Sequence, residues 1–544
     1  VVHVSNVTPC LSGQKLRNAL QSTPSMNKYK YLYIAVFTSG LAGLAVEMAA
    51  SRLLGSVFGS SNLVWAAIIG LILIYLTLGY FIGGRWADRS PHEHTFYKIL
   101  AWAGLTIGLV PLISRPVLRL SANAFDQMQM GILFGSFIAV VVLFIIPVTL
   151  LGTASPFAIR LAIQDPQKAG SVSGRIYAIS TLGSFIGTFL PVLVLIPVIG
   201  TYRTFLVISA LLLLVAFIGL FRVSGWRAVL TWIWMPVVLV LAALFALRGT
   251  DRSTSGMIYE TESAYNYIQV LERDGYTYLR LNDGQGVHSI YHPDVLNYHG
   301  PWEQVLVAPY FNTPPYLPGQ VKRIAILGLA AGTTARDSSL VYGGIPIDGY
   351  EIDPKIVEVG RTYFDMNESN LNVFIQDARV GLAASREKYD IISVDAYRPP
   401  YIPWHLTTQE FFRLAWEHLT PEGVLVINVG RAPGDRRIID ALATTIRSVF
   451  SSVHTVDIPN SFNTMLFATR GPTTNENFFI NYENLVRLGN VHPLLLESMQ
   501  LTASNLRPEP KATLVFTDDR SQIEWLTNGL VLNFLLTGGM EEIQ

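Results

Sequence analysis

The chain has 544 residues, half of them hydrophobic and only 14% charged. Soluble globular chains carry roughly 25% charged residues, so a large part of this one avoids water. The zero net charge hides a basic half up to residue 250 and an acidic half after it, which suits lipid-facing loops in the first and argues against a nucleic-acid partner for the second.

Residues 1–30 read as a polar tail. Residues 1–25 contain no apolar run and do not match a secretory signal peptide, and Met26, ahead of Asn27-Lys28-Tyr29-Lys30, is a candidate start. Cys10 is the only cysteine, so neither an intramolecular disulfide nor a cysteine-based zinc site can form.

Residues 31–250 predict a multi-span α-helical membrane domain. Apolar stretches long enough to cross about 30 Å of hydrocarbon recur at 31–50, 62–83, 97–114, 131–151, 176–199, 203–221 and 228–247, which predicts seven spans. Twelve Lys and Arg, from Lys15 to Arg227, fall on the amino-terminal side and the even loops, against six on the other face. That bias places the amino terminus in the cytoplasm, and seven spans would then carry the following domain outside. Within the spans, Glu47 is a functional candidate because an ionisable group at membrane depth is costly; an interfacial pair with Arg52 is the plainer account. Gly183-Ser184-Phe185-Ile186-Gly187 has the spacing that lets two helix backbones approach closely. Gly83-Gly84-Arg85-Trp86-Ala87-Asp88-Arg89 reads as a short basic loop, and His92-Glu93-His94 as a solvated loop without metal-ligand spacing.

Residues 251–315 predict a small antiparallel β unit. Polar and apolar residues alternate over 263–292, with turn signals at Asp274-Gly275 and Asn282-Asp283-Gly284. His288 and His292 in this stretch lack a third metal ligand. Residues 316–544 then predict an α/β domain. Ile324–Leu327, Ile345–Tyr350, Leu371–Ile375, Ile391–Val394 and Val424–Val429 are short, β-branched runs separated by helical patterns at 354–364 and 407–419. Such alternation gives right-handed crossovers and a doubly wound parallel sheet. Val453–Ile458 and Met465–Ala468 would complete seven strands.

Ligands of such sheets bind beyond the carboxyl ends of the strands. The first strand runs into Gly328-Leu329-Ala330-Ala331-Gly332, whose small residues at 328, 330 and 332 allow backbone to approach a ligand. The second ends at Glu351, a carboxylate about twenty residues after the turn that suits a ribose diol. The third runs into Asp377, placed for a base amino group, and the fourth into Asp395-Ala396-Tyr397-Arg398. Each carboxylate alone could be an ordinary polar strand end; their register, strand after strand, points to a nucleoside site. Trp404-His405 is placed to cover that site or to anchor the loop.

At these residues the chain resembles the spermidine synthase (polyamine aminopropyltransferase) family in a form fused to an amino-terminal multi-span region. The resemblance includes Ser39–Gly59, the Gly83–Arg89 segment, the β unit and the whole sheet. It implies a seven-stranded, methyltransferase-like fold and transfer of an aminopropyl group from decarboxylated S-adenosylmethionine, or a related adenosyl nucleoside, to an amine. It implies that Gln269 contacts this cofactor, that Glu351 binds its ribose and Asp377 lies near its adenine, and that Asp395 assists deprotonation of the amine. Glu303 matches the acid of a Tyr-His-Glu motif, with Pro301-Trp302 ahead of it. Two positions depart from the pattern. Ala331 stands where the family's glycine-rich turn carries the aspartate that holds the cofactor's amine, and Arg398 where the Asp-Ser-Ser-Asp-Pro motif carries its second aspartate. An arginine there suits a carboxylate or phosphate better than a second ammonium; a salt bridge from it to Asp395 or Glu303 would instead close the site. The expected substrate contacts are Glu303, Tyr397 and Arg398, with no metal site.

Three functions compete on this reading. The first is a membrane-anchored transferase whose acceptor is not putrescine. The second is an inactive transferase-fold subunit that serves as a binding or scaffold module with a membrane-protein partner. The third, transport, has no pair of broken, charged helices behind it. The cell membrane is the expected location. The charge bias favours an outside position for the acidic half, and the cytoplasmic origin of adenosyl cofactors favours the inside.

Overall fold

A computed structural model describes residues 26–58, 62–128, 132–246, 255–282, 286–397, 402–431, 434–508, 514–523, 525–527 and 529. The chain forms two compact units.

The first is helical. Among the described residues, six helices are long and apolar enough to cross a bilayer: Lys30–Gly55, Trp65–Arg89, Glu93–Ser114, Phe137–Ala162, Pro166–Ile199 and Thr201–Trp232. The seventh expected span, 228–247, is separated from the sixth at Gly225 (φ 72°, ψ −174°), a non-helical conformation that glycine adopts at no steric cost. The helical stretch that follows this break ends at Trp232. The remainder is the shorter apolar helix Trp234–Ala246. Phe81, Ile146, Leu193 and Val198 are each more than half exposed, an apolar outer surface that water would not tolerate at this extent.

The glycine pair at 183 and 187 acts as its spacing predicts. Both residues lie against backbone of the first helix, at Phe37 and Leu41, where any Cβ would collide. Ser184 Oγ adds a hydrogen bond to the Gly40 carbonyl at 3.1 Å. Residues 83–89, expected as a loop, are the last two turns of the second long helix, Asn62–Arg89. Gly83 packs there against Thr153, and Asp88 pairs with Arg160 at 3.2 Å. The turn instead occupies 90–92, beside Pro91.

In the second unit, β1 (Met257–Glu262), β2 (Tyr267–Arg273), β3 (Tyr276–Leu281) and β4 (Val287–Tyr291) form the expected antiparallel sheet. The larger sheet contains β5 (Ile324–Leu327), β6 (Ile347–Glu351), β7 (Leu371–Ile375), β8 (Tyr389–Val394), β9 (Leu419–Gly430), β10 (Ser452–Asp457), β11 (Asn463–Thr469) and β12 (Leu506–Arg507). Its order is β12-β10-β11-β9-β8-β5-β6-β7, so among the described residues it has eight strands where the sequence predicts seven. The extra one is a two-residue edge strand beside Thr455 and Val456, too short to leave a periodic signal.

β9, β8, β5, β6 and β7 are parallel neighbours, and β11 runs antiparallel to both of its neighbours, β9 and β10. Alternate β5 residues feed two cores: Ala325 and Leu327 join one apolar cluster, Ile324 and Ile326 the other. The Leu327, Ile324 and Ile326 side chains each contribute about 1.5–3 kcal/mol by burial. From β5 the chain winds outward through β6 and β7, then crosses back to β8 on β5's other side. The switch point is therefore the β5–β8 boundary, and a cleft belongs beyond their carboxyl ends.

Candidate functional site

The turn after β5 brings three strands together. Gly328 N and Leu329 N both donate to the Tyr350 carbonyl at 3.0 Å, tying the turn to β6. Gly328 adopts φ 97°, and a Cβ there would lie 2.5 Å from the Asp395 carbonyl oxygen, so only glycine lets the β5 and β8 tips close up. Ala330 (φ 49°) donates its N–H to Glu351 Oε2 at 3.0 Å. Gly332 (φ 90°) starts the helix Thr333–Tyr342.

The expected carboxylates share one cleft of about 400 Å³, lined by Glu351, Asp377 and Asp395 together with Gly328 and Ala330. Glu351 is buried, and burial pushes its carboxyl up to about 7 against the amide bonds from Asp353 and Ala330. Those two bonds occupy one lone pair on each oxygen, which leaves acceptor capacity for a pair of hydroxyls. Asp353 caps the helix Pro354–Tyr363 and also accepts from Ser263 Oγ and Asn266 Nδ2. Those bonds hold Tyr265 and Asn266 at the same cleft.

Asp377 caps the helix Ala378–Ala384, its Oδ1 accepting from Val380 N at 3.0 Å. Its Oδ2 lies 3.1 Å from His405 Nε2. The Ile402–Leu406 stretch lines the cleft from this side, so Trp404-His405 stands where the sequence expects a cover. Asp395 Oδ1 accepts from Asn428 Nδ2 at 3.0 Å, and burial raises the Asp395 carboxyl to about 6.

A second cleft of about 230 Å³ shares Gly328, Ala330, His288, Asp395 and Tyr397 with the first. Pro301, Trp302, Thr333 and Asn428 form much of its remaining wall. Asp395 therefore stands where a nucleoside-sized space meets a smaller one. Tyr397, buried enough to lift its hydroxyl well above the usual range, accepts from Gly430 N at the same junction.

The other expected site residues lie elsewhere. Gln269 is buried within the four-stranded sheet, where it donates to Tyr267 Oη at 3.3 Å and to Met257 Sδ, and it lines neither cleft. Glu303 is also buried and lines neither; it accepts from Tyr298 N and Gly300 N, closing the turn that holds Pro301 and Trp302 in place. Gly332 is outside both linings, with Met366 packed over it. Ala331 is packed with Ile268, Val270 and Ile356 in an apolar cluster. Arg398 lies outside the described residues.

Two residues at the junction were not singled out for this site by sequence reasoning. His288, considered only as a metal ligand, lines both clefts, and among the described residues its buried Nε2 has no hydrogen-bond partner; burial lowers its imidazole to about 4. Asn428 interrupts the otherwise apolar run Val424–Val429, a signal that could have marked it.

Residues 321–481 match the Spermine/spermidine synthase domain. The chain is 35% identical to a probable polyamine aminopropyl transferase of Bifidobacterium longum over 50% of its own length and 62% of that relative. It is 30% identical to the polyamine aminopropyltransferase of Vibrio vulnificus, covering 41% of this chain and 75% of the relative. Polyamine aminopropyltransferase 1 of Streptomyces coelicolor matches at 23% identity over 81% of this chain and 84% of its own, a match too long to be confined to the α/β unit.

Proposed function

The chain belongs to the polyamine aminopropyltransferase (spermidine synthase) family, and from that premise we propose a membrane-anchored transferase that joins an aminopropyl group to an acceptor amine. The donor would be decarboxylated S-adenosylmethionine or a related adenosyl nucleoside. The observation that carries this reading is the meeting of Glu351, Asp377 and Asp395 on one cleft beyond parallel strand ends. Their chemistry fits a nucleoside donor: Glu351 can accept from the ribose hydroxyls and Asp377 from the adenine amino group. Asp395, at the inner junction, can take a proton from the acceptor amine. The six long apolar helices support residence in the cell membrane, with lipid as the immediate partner.

The acceptor differs from putrescine. A diamine brings two ammonium groups, and a buried ammonium needs a partner or loses its charge. Among the described residues of the smaller cleft, Asp395 is the sole carboxylate. An amine with one cationic end suits this cleft better.

A second reading, an inactive subunit that binds or scaffolds in a membrane complex, draws on Ala331. Its apolar packing leaves the donor's amine without the carboxylate that the family supplies at that position.

The deciding experiment incubates full-length protein in lipid nanodiscs with decarboxylated S-adenosylmethionine and a panel of primary amines. Amine-dependent release of methylthioadenosine supports the transferase. A protein that binds the nucleoside but releases none with any amine is the scaffold.

A further inference from the structure

His288 lies on β4, on the wall common to the nucleoside cleft and the smaller cleft. The backbone is held there, since the Trp302 indole N–H donates to the His288 carbonyl at 3.3 Å. Among the described residues, His288 Nε2 is buried and has no hydrogen-bond partner. Buried polar atoms without partners are rare, and one beside a cleft marks a place for a ligand's donor. A second such atom is close by in the fold. Asn428 Oδ1, on β9, is buried without a partner while its Nδ2 donates to Asp395. His288, Asn428 and Asp395 all line the smaller cleft, which thus gathers one carboxylate and two neutral groups that can accept.

Resting on the transferase reading above, we propose that His288 accepts a hydrogen bond from the acceptor's amine and, with Asn428, aims its lone pair at the reacting carbon. An alkylammonium offers three N–H donors and no lone pair, which matches three acceptors. After one proton passes to Asp395, two N–H groups and one lone pair remain. With Asn428 Oδ1 and His288 Nε2 each holding one N–H, the lone pair has a single direction left. The C–N bond forms along it, and the donor's C–S bond breaks with its electron pair leaving on sulfur. The product amine keeps both protons as a secondary ammonium. A charged imidazole here would repel the ammonium and the donor's sulfonium alike, so the role requires a neutral ring. Burial provides that neutrality.

The test uses full-length protein in nanodiscs, loaded with methylthioadenosine, with n-butylamine and ethanolamine as calorimetric probes. His288→Ala is expected to weaken both amines by about tenfold or more while methylthioadenosine binding stays within about twofold. His288→Gln, which restores an acceptor, is expected to recover amine affinity to within about threefold. In turnover, the KM for amine should rise in the alanine variant and return in the glutamine variant. Unchanged amine binding in His288→Ala overturns the assignment. So does loss of methylthioadenosine binding in both variants, which would assign His288 to the nucleoside or to the fold. Parent protein that binds methylthioadenosine but neither amine overturns it while leaving the nucleoside reading intact; failure to bind the nucleoside ends both.

Discussion

His405 Nε2 stands 3.1 Å from Asp377 Oδ2, and the His405 carbonyl accepts from Arg379 Nη1 at 3.0 Å. The segment that lines the larger cleft is thereby fastened to the carboxylate proposed to meet the adenine. Arg379 is itself held by two bonds of 2.7 and 2.6 Å to Asp518. The His405–Asp377 side chains are 30% and 31% exposed, so their contact is worth no more than about 1 kcal/mol. It is a weak latch that an incoming amino group can displace.

His405→Ala is therefore expected to speed methylthioadenosine association severalfold while changing its affinity by less than about fivefold. Trp404, part of the same segment and 43% exposed, supplies the fluorescence for stopped-flow measurement. An affinity loss beyond about tenfold would make His405 a nucleoside contact instead of a latch.

Glu351 gives binding a pH dependence of defined sign. Burial lifts its carboxyl from 4.5 to about 7, and the ribose hydroxyls need the ionised form as acceptor. Methylthioadenosine affinity is expected to fall about tenfold per pH unit below 7 and to level off above it. Stability runs the other way. A carboxyl that ionises less readily folded than unfolded supports the fold while protonated. That share is complete below 4.5 and lost as pH rises through about 7. Glu351→Gln should flatten both profiles, read by calorimetry and by denaturant midpoints.

Gly328→Ala adds a methyl group 2.5 Å from the Asp395 carbonyl oxygen and 2.7 Å from Ala396 Cα, at a backbone φ of 97°. A destabilisation of about 1–3 kcal/mol is expected from the strain, with weakened methylthioadenosine binding because the β5 and β8 tips must separate. Gly319→Ala, with no atom within 4 Å of the added methyl, serves as the control and should stay within about 0.5 kcal/mol of the parent. Equal behaviour of the two variants would remove the close approach from the site's design.

Much of this arrangement was legible because most of the parallel strands are short apolar runs that lead into a glycine or an acid. Ile324–Leu327 and Leu371–Ile375 fall where the sequence predicts them. β9 extends five residues before Val424, because its amino-terminal end pairs through Leu419 with Tyr389 in a stretch without alternation. Family likeness placed Gln269 and Glu303 in the site, yet neither reaches a cleft, since resemblance fixes position along the chain and not where a side chain points. His288 was hidden for the opposite reason. Its significance lies in a missing partner, which only packing reveals. The break at Gly225 was legible, since Arg222, Ser224 and Arg227 interrupt the hydropathy between the expected spans at 203–221 and 228–247.

The donor is made in the cytoplasm, so the transferase reading requires the α/β unit there. In a Cys10→Ser background, Glu387→Cys provides a label site on a side chain 53% exposed. Membrane-impermeant maleimide should label it in inverted vesicles and not in intact cells. The reverse pattern would favour the scaffold reading.

The decisive measurement is a calorimetric titration of full-length protein in nanodiscs with methylthioadenosine, repeated for Asp377→Asn. That variant keeps the cap to Val380 through Oδ1 but presents a donor where the adenine amino group needs an acceptor. One-to-one binding is expected, weakened about tenfold or more by the substitution. No heat with methylthioadenosine, decarboxylated S-adenosylmethionine or S-adenosylmethionine, or binding indifferent to Asp377→Asn, would contradict a nucleoside site at these strand ends.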